Sequence, residues 1–146
     1  MNHWIIAPVL LPPLVAAVII LAARFNLGLQ RVFSVAATVA LAFIGIGLMI
    51  HSLSGNIDVY ELGNWPAPFG IVLVLDRLSA TMVALTAVLG VAVVLYAIGS
   101  GWDKRGNHFH ALFQFQLMGI FGAFLTGDVF NLFVFFEVLL IASYGL

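Results

Sequence analysis

Glu137 is the residue of this chain whose position most demands a chemical explanation. It is the single charged side chain in the apolar run 129–146. Counted from Asp128 at the edge of that run, it lies nine residues inward, roughly 13 Å at helical rise. A carboxylate at that depth in hydrocarbon costs about 2.5–3.5 kcal/mol on insertion scales. A carboxyl taken out of water holds its proton more tightly, and a nearby cation loosens it. A group balanced between the two exchanges protons near neutral pH, as a proton relay requires. The alternative is a structural glutamate, protonated or ion-paired, that fixes helix packing. At helical spacing Glu137 shares a face with Phe130, Phe133, Val134, Ile141 and Tyr144. Among these only Tyr144 adds a hydroxyl, so a cationic partner must come from another helix or another chain.

The remaining polar residues are weaker candidates. His110 and Gln114, four apart, form a stripe that could line a hydrated path, although hydrogen bonding between helices is the commoner use. Gln114 and Gln116 face different directions and cannot share a site. His108 and His110 stand beside Lys104 and Arg105 without a carboxylate or cysteine to complete a metal set, and read as titrating surface histidines. Asp128 and Asn131 read as a capping pair at a helix start, with cation entry the rarer alternative for Asp128. Asp76 and Arg77 read as an interfacial ion pair of little energetic weight. No phosphate loop, nucleophile elbow, zinc-helix or haem-ligand motif is present, so no cofactor and no metal are expected.

The elements that must position these groups follow from composition. Of 146 residues, 64% are hydrophobic and 8% charged, against roughly 45–50% and 25% in an ordinary globular chain. A small soluble protein has too much surface for so few polar groups to cover, so this is a membrane protein. The formal charge of −1 invites no nucleic acid, and the absence of cysteine removes disulfides and thiol chemistry. Stretches free of Asp, Glu, Lys and Arg run over 1–23, 32–57, 62–75, 78–102 and 106–127. A spanning helix needs about 20 apolar residues, which all but the third stretch provide. Helices are therefore expected near 5–23, 32–50, 78–98, 109–125 and 129–146, an all-α polytopic membrane domain. Pro12 and Pro13 should kink the first helix or delay its start, and they argue, with the lack of a basic leader, against a cleaved signal peptide. Gly45 and Gly47 mark a place where another helix can approach closely.

Between the second and third helices, Asn64-Trp65-Pro66 supplies a turn and the apolar run 71–75 is rich in β-branched residues. That segment is expected to be a short hairpin or loop acting as a structural clamp at the membrane surface. Arg24 and Arg31 fall in the first connection, Lys104 and Arg105 in the third. The positive-inside rule then puts those connections in the cytoplasm and the amino terminus outside. Ten of the eleven charged side chains fall in connections or at helix ends, which leaves Glu137 alone in the core.

Two segments carry a likeness to a known family. They are 127–144, which contains Phe135-Phe136-Glu137, and 62–76, which contains Gly63-Asn64-Trp65-Pro66-Ala67-Pro68-Phe69-Gly70. Both closely resemble the D subunits of the Mrp-type multi-subunit sodium/proton antiporters, relatives of the proton-pumping subunits of respiratory complex I. The resemblance implies a subunit of about fourteen helices with inverted repeats in a bacterial cell membrane. Other antiporter subunits, the bilayer, Na+ and H+ would be its partners. It also implies that Glu137 is the proton-handling carboxylate, paired in the family with a lysine on the seventh helix. This sequence stops at Leu146, before that lysine and the second repeat, so it is expected to be a portion of such a subunit. The implied activity is cation/proton exchange driven by the proton-motive force, a secondary transporter rather than an enzyme. The rivals are a redox-driven pump subunit of complex I or a membrane hydrogenase, and a scaffold that transports nothing.

Overall fold

The computed structural model describes residues 3–22, 25–55, 57–61, 72–105, 108–127 and 129–145. Five helices account for most of them: α1, Ala7–Ala22; α2, Leu27–Ser52; α3, Arg77–Ser100; α4, Phe109–Leu125; and α5, Val129–Gly145. Short 3-10 turns at His3–Ile5 and Trp102–Lys104 precede α1 and α4. Between α2 and α3, β1 (Asp58–Glu61) pairs antiparallel with β2 (Val72–Leu75), Asp58 opposite Leu75 and Glu61 opposite Val72. The turn residues Gly63, Asn64, Trp65, Pro66, Pro68 and Gly70, together with Arg24 and Asp128, lie outside the described residues.

The burial pattern is that of a chain solvated by lipid. The outward surface carries Phe43, Leu78, Leu89, Leu95, Val129 and Phe133, while Phe25 is 94% exposed. The inward stripes are made of small residues. On α3 they are Ala80, Ala84, Ala87, Gly90, Val94 and Ala97, and on α2 Ser34, Ala37, Thr38, Leu41 and Gly45. Both stripes step at the three- and four-residue spacing of one helix face. In hydrocarbon there is little gain in hiding leucine, so close backbone approach decides which face turns inward. A Cβ on Gly45 would stand 3.1 Å from the Ala84 Cα, so α2 and α3 cross there, as the sequence suggested. Gly47 has nothing within 4 Å and lies outside that seam.

At 26 and 24 residues, α2 and α3 are long and apolar enough to cross a membrane; they measure about 39 and 36 Å. The helices α1, α4 and α5 are equally apolar but have 16, 17 and 17 residues. Helix α1 starts at Ala7 and runs through both Pro12 and Pro13. Helix α2 starts at Leu27, where the Asn26 side chain accepts the Leu29 N–H at 3.3 Å, and so includes Arg31. The sequence put Arg31 in the connection because a charge ordinarily ends an apolar helix. Here that charge has a buried partner.

Asp76 opens α3 as a capping box: its carboxylate accepts the Ser79 N–H at 2.7 Å, and the Ser79 hydroxyl accepts the Asp76 N–H at 2.9 Å. This corrects the expected Asp76–Arg77 ion pair. The carboxylate is taken by the helix start, and Arg77 instead donates to the Leu53 carbonyl at 3.4 Å. The paired strands are anchored at the far end of α4. Leu73 bridges Thr126, and the Gly127 N–H donates to the Val72 carbonyl at 2.9 Å. The strand pair therefore ties the α2–α3 connection to the α4–α5 connection at one end of the bundle. The opposite end carries Arg31, Lys104 and Arg105.

Candidate functional site

Helix α5 has two distinct faces. Asn131, Phe135 and Ala142 are buried, and that stripe packs on α4. A Cβ on Gly119 would stand 3.0 Å from the Leu139 amide nitrogen, and one on Gly122 would collide with the Phe135 ring. Two residues from Phe135, and therefore about 200° around the helix, Glu137 is exposed on the opposite face. Its companions Phe130, Phe133, Val134, Ile141 and Tyr144 are exposed with it, Tyr144 to 85%. Glu137 sits eight residues inside the start of α5, about 12 Å along its axis. Among the described residues no ion pair reaches it. The carboxylate is thus presented in mid-helix, on an apolar aromatic face that stays exposed among the described residues.

His110 and Gln114 are not near it. They lie on the other side of α4, fully buried against α2. The Gln114 amide nitrogen donates to the Ser34 hydroxyl and the Thr38 hydroxyl, each at 3.3 Å, which makes the stripe an interhelical bond as expected. His110 differs from expectation: it is buried, not a surface group. The 3-10 turn Trp102–Lys104 folds Asp103 inward, and Asp103 Oδ2 lies 3.0 Å from His110 Nε2. His108, by contrast, is exposed.

Arg31 completes this cluster. Its Nε donates to Asp103 Oδ2 at 2.6 Å and its Nη2 to Oδ1 at 2.9 Å, a forked pair on a carboxylate that is itself buried. The Arg31 hydrogen bonds, with a smaller contribution from His110, hold the Asp103 carboxyl down to about 2, against the opposing pull of burial. Arg105 stacks over Trp102, 4.3 Å from the ring centroid, at the same end.

The expected site residues therefore form two groups and not one. Glu137 and Tyr144 share the open face of α5. His110 and Gln114 belong to a closed network with Arg31, Ser34, Thr38 and Asp103. Sequence reasoning missed the last four, although Gln30, Arg31, Ser34 and Thr38 mark a polar stripe at helical spacing on α2. Asp103 carried no such signal, because only the fold of the short connection turns it inward.

Comparison with known proteins is informative along the whole chain. No family model matches it. The D subunit of a probable K(+)/H(+) antiporter of Rhizobium meliloti is 50% identical over all of this chain and 28% of its own length. The D subunit of the Na(+)/H(+) antiporter of Alkalihalophilus pseudofirmus is 46% identical over 99% of this chain and 29% of its own length. The N subunit of NADH-quinone oxidoreductase from Desulforudis audaxviator is 34% identical over 99% of this chain and 30% of its own. Among solved structures, the Mrp complex from Dietzia sp. aligns with a TM-score of 0.89 at 28% identity, over 100% of this chain and 27% of that one. An archaeal membrane-bound sulfane sulfur reductase aligns with a TM-score of 0.91 at 26% identity, over 99% of this chain and 30% of that one. The chain is thus homologous throughout to antiporter D subunits and spans under a third of their length.

Proposed function

We infer that this chain, a member of the antiporter D-subunit group by its whole-length kinship, is part of a membrane subunit that exchanges a monovalent cation for protons. The observation that carries this reading is identity of 50% and 46% to two antiporter D subunits across essentially every residue. The exchange is a secondary transport driven by the proton-motive force, so the chain is a transporter component and not an enzyme. We take Na+ as the cation, after the relatives at 46% and 43% identity; the relative at 50%, named for K+, supports potassium as the second choice.

Glu137 is the proton-handling group in this reading. Its mid-helix depth and apolar face give it the desolvation that raises the cost of its charge. Its open side leaves room for a cation from the rest of a subunit of about fourteen helices. Tyr144, two turns on, is a polar neighbour on the same face. Asp128 precedes α5 as cap or cation entry. The five helices are five spans, and the end carrying Arg31, Lys104 and Arg105 is cytoplasmic by the positive-inside rule. The amino terminus, the strand pair and the α4–α5 connection are then extracytoplasmic, in a bacterial cell membrane, with other antiporter subunits as partners.

The NADH-quinone oxidoreductase relative and the sulfane sulfur reductase structure favour one other reading, a proton pump powered by a redox module. Everted vesicles containing the full-length subunit in its complex separate the two. An imposed proton gradient that collapses on adding Na+ or K+, without a redox substrate, supports exchange. A gradient that forms only with an electron donor, and ignores both cations, overturns it in favour of the pump.

A further inference from the structure

The cluster at the basic end of the bundle leaves two acceptors unanswered. Asp103 is held as a carboxylate, so its Oδ2 can only accept from His110 Nε2, 3.0 Å away, and the ring proton of His110 sits on Nε2. The other ring nitrogen, Nδ1, is then a bare lone pair, buried and without a partner among the described residues. One helical turn along the same face, Gln114 turns its amide nitrogen to Ser34 and Thr38, and its Oε1 is buried and unpartnered as well. Two bare acceptors a turn apart call for a shared donor. A water can give one hydrogen to each, or a proton on Nδ1 can make the ring the donor.

We propose that His110 is a proton-binding site separate from Glu137, in which a water at high pH, and a proton on Nδ1 at low pH, serves the pair His110 Nδ1 and Gln114 Oε1. Farther into the bundle from Gln114 and Thr38, Leu117, Phe121 and Leu41 belong to the buried apolar core. The member of the cluster nearest solvent is Arg31, whose side chain is partly exposed at the basic end. Uptake of a proton changes the cluster from neutral to singly positive at the junction of α2, α4 and the α3–α4 connection. The charged groups facing the ring are Arg31 from α2 and Asp103 from the 3-10 turn. The described residues of α1 and β2 carry no titratable side chain. On the other packed elements, Lys104 and the α3 side chain Tyr96 are exposed, and Glu137 and Tyr144 of α5 are on the far side of α4. The Asp103 carboxylate accepts from Nε2 whether the ring carries one proton or two.

The site stands on the geometry of the cluster and the charge of Asp103; only its effect on exchange rests on the antiport reading. The test is solid-state NMR of the full-length subunit in its complex, with 15N-labelled histidine, from about pH 5 to about pH 9, the range in which histidine switches. His110 is identified by its through-space contact to the Asp103 carboxyl carbon, so no variant is needed. The expected result is an Nε2–H tautomer at the alkaline end and a doubly protonated ring at the acid end. Asp103→Asn should then move the midpoint to lower pH by about one unit or more. A single tautomer across the whole range overturns the proposal. In exchange assays, His110→Gln should displace the pH profile by about half a unit or more, whereas a profile superimposable on wild type in the assembled complex counts against it. If the parent complex exchanges no cation, the antiport reading fails while the NMR titration still decides the site.

Discussion

Arg31 and Asp103, 72 residues apart in the chain, meet as a forked ion pair with Nε 2.6 Å from Oδ2 and Nη2 2.9 Å from Oδ1. The pair fastens the first turns of α2 to the connection between α3 and α4. It also supplies the anion that orients His110, so one carboxylate serves both the architecture and the polar network. A carboxyl whose folded pKa is depressed binds protons more readily when unfolded. It therefore stabilises the fold fully above its unfolded value, near 4. That stabilisation fades as the pH falls toward about 2.

The first prediction follows from that sign. Asp103→Asn should lower the melting temperature of the full subunit throughout about pH 6 to pH 8, by an amount that varies across that window only as His110 takes up its proton. The difference from wild type should narrow only below about pH 4. Melting curves across this range check it, and a difference that vanishes already near neutral pH would contradict it.

The seam between α4 and α5 gives a second. Gly119 meets the Leu139 backbone, which cannot swing aside as a side chain could, and Gly122 meets the Phe135 ring. Gly119→Ala or Gly122→Ala should cost about 1–3 kcal/mol by overpacking, and should weaken transport by displacing the helix that carries Glu137. Gly47→Ala, with open space around it, should be neutral or stabilise by up to about 1 kcal/mol through helix propensity. Thermal melts of the three variants separate seam from open surface.

How much of this was legible in sequence depends on whether the signal was local. The helices and the direction of the Glu137 face were readable, because apolar runs and four-residue spacing are properties of neighbouring residues. The Gly45 approach was readable too, while Gly47, two positions on and so on another face, was not distinguishable without knowing where α3 lies. His110 was misjudged since its neighbours in sequence, Lys104, Arg105 and His108, all point to a surface. It is buried beside Asp103, turned in by a three-residue 3-10 turn, one helical turn from Gln114, which bonds to α2 residues 76 to 80 positions away. Arg31 was assigned to a connection for the same reason: the partner that lets a charge enter a helix is not nearby in the chain.

A third prediction concerns the start of α3. Asp76 accepts the Ser79 N–H, and this bond together with the Ser79 hydroxyl holds the carboxyl below its usual range. Asp76→Ala should cost about 1 kcal/mol, and Asp76→Asn, which keeps the accepting oxygen, clearly less. Removing the charge at Arg77 should matter little, because its side chain reaches the Leu53 carbonyl and not the Asp76 carboxylate; melting assays of Arg77→Gln beside Asp76→Ala check this.

The central claim is that Glu137, in mid-helix on the open face of α5, handles the transported proton. Its most direct test is cation/proton exchange in everted vesicles carrying the full-length subunit with Glu137→Gln, with assembly of the complex verified alongside. The account predicts an assembled complex whose exchange falls by about 100-fold or more, partly restored by Glu137→Asp. An assembled Glu137→Gln complex that exchanges at the wild-type rate would contradict it.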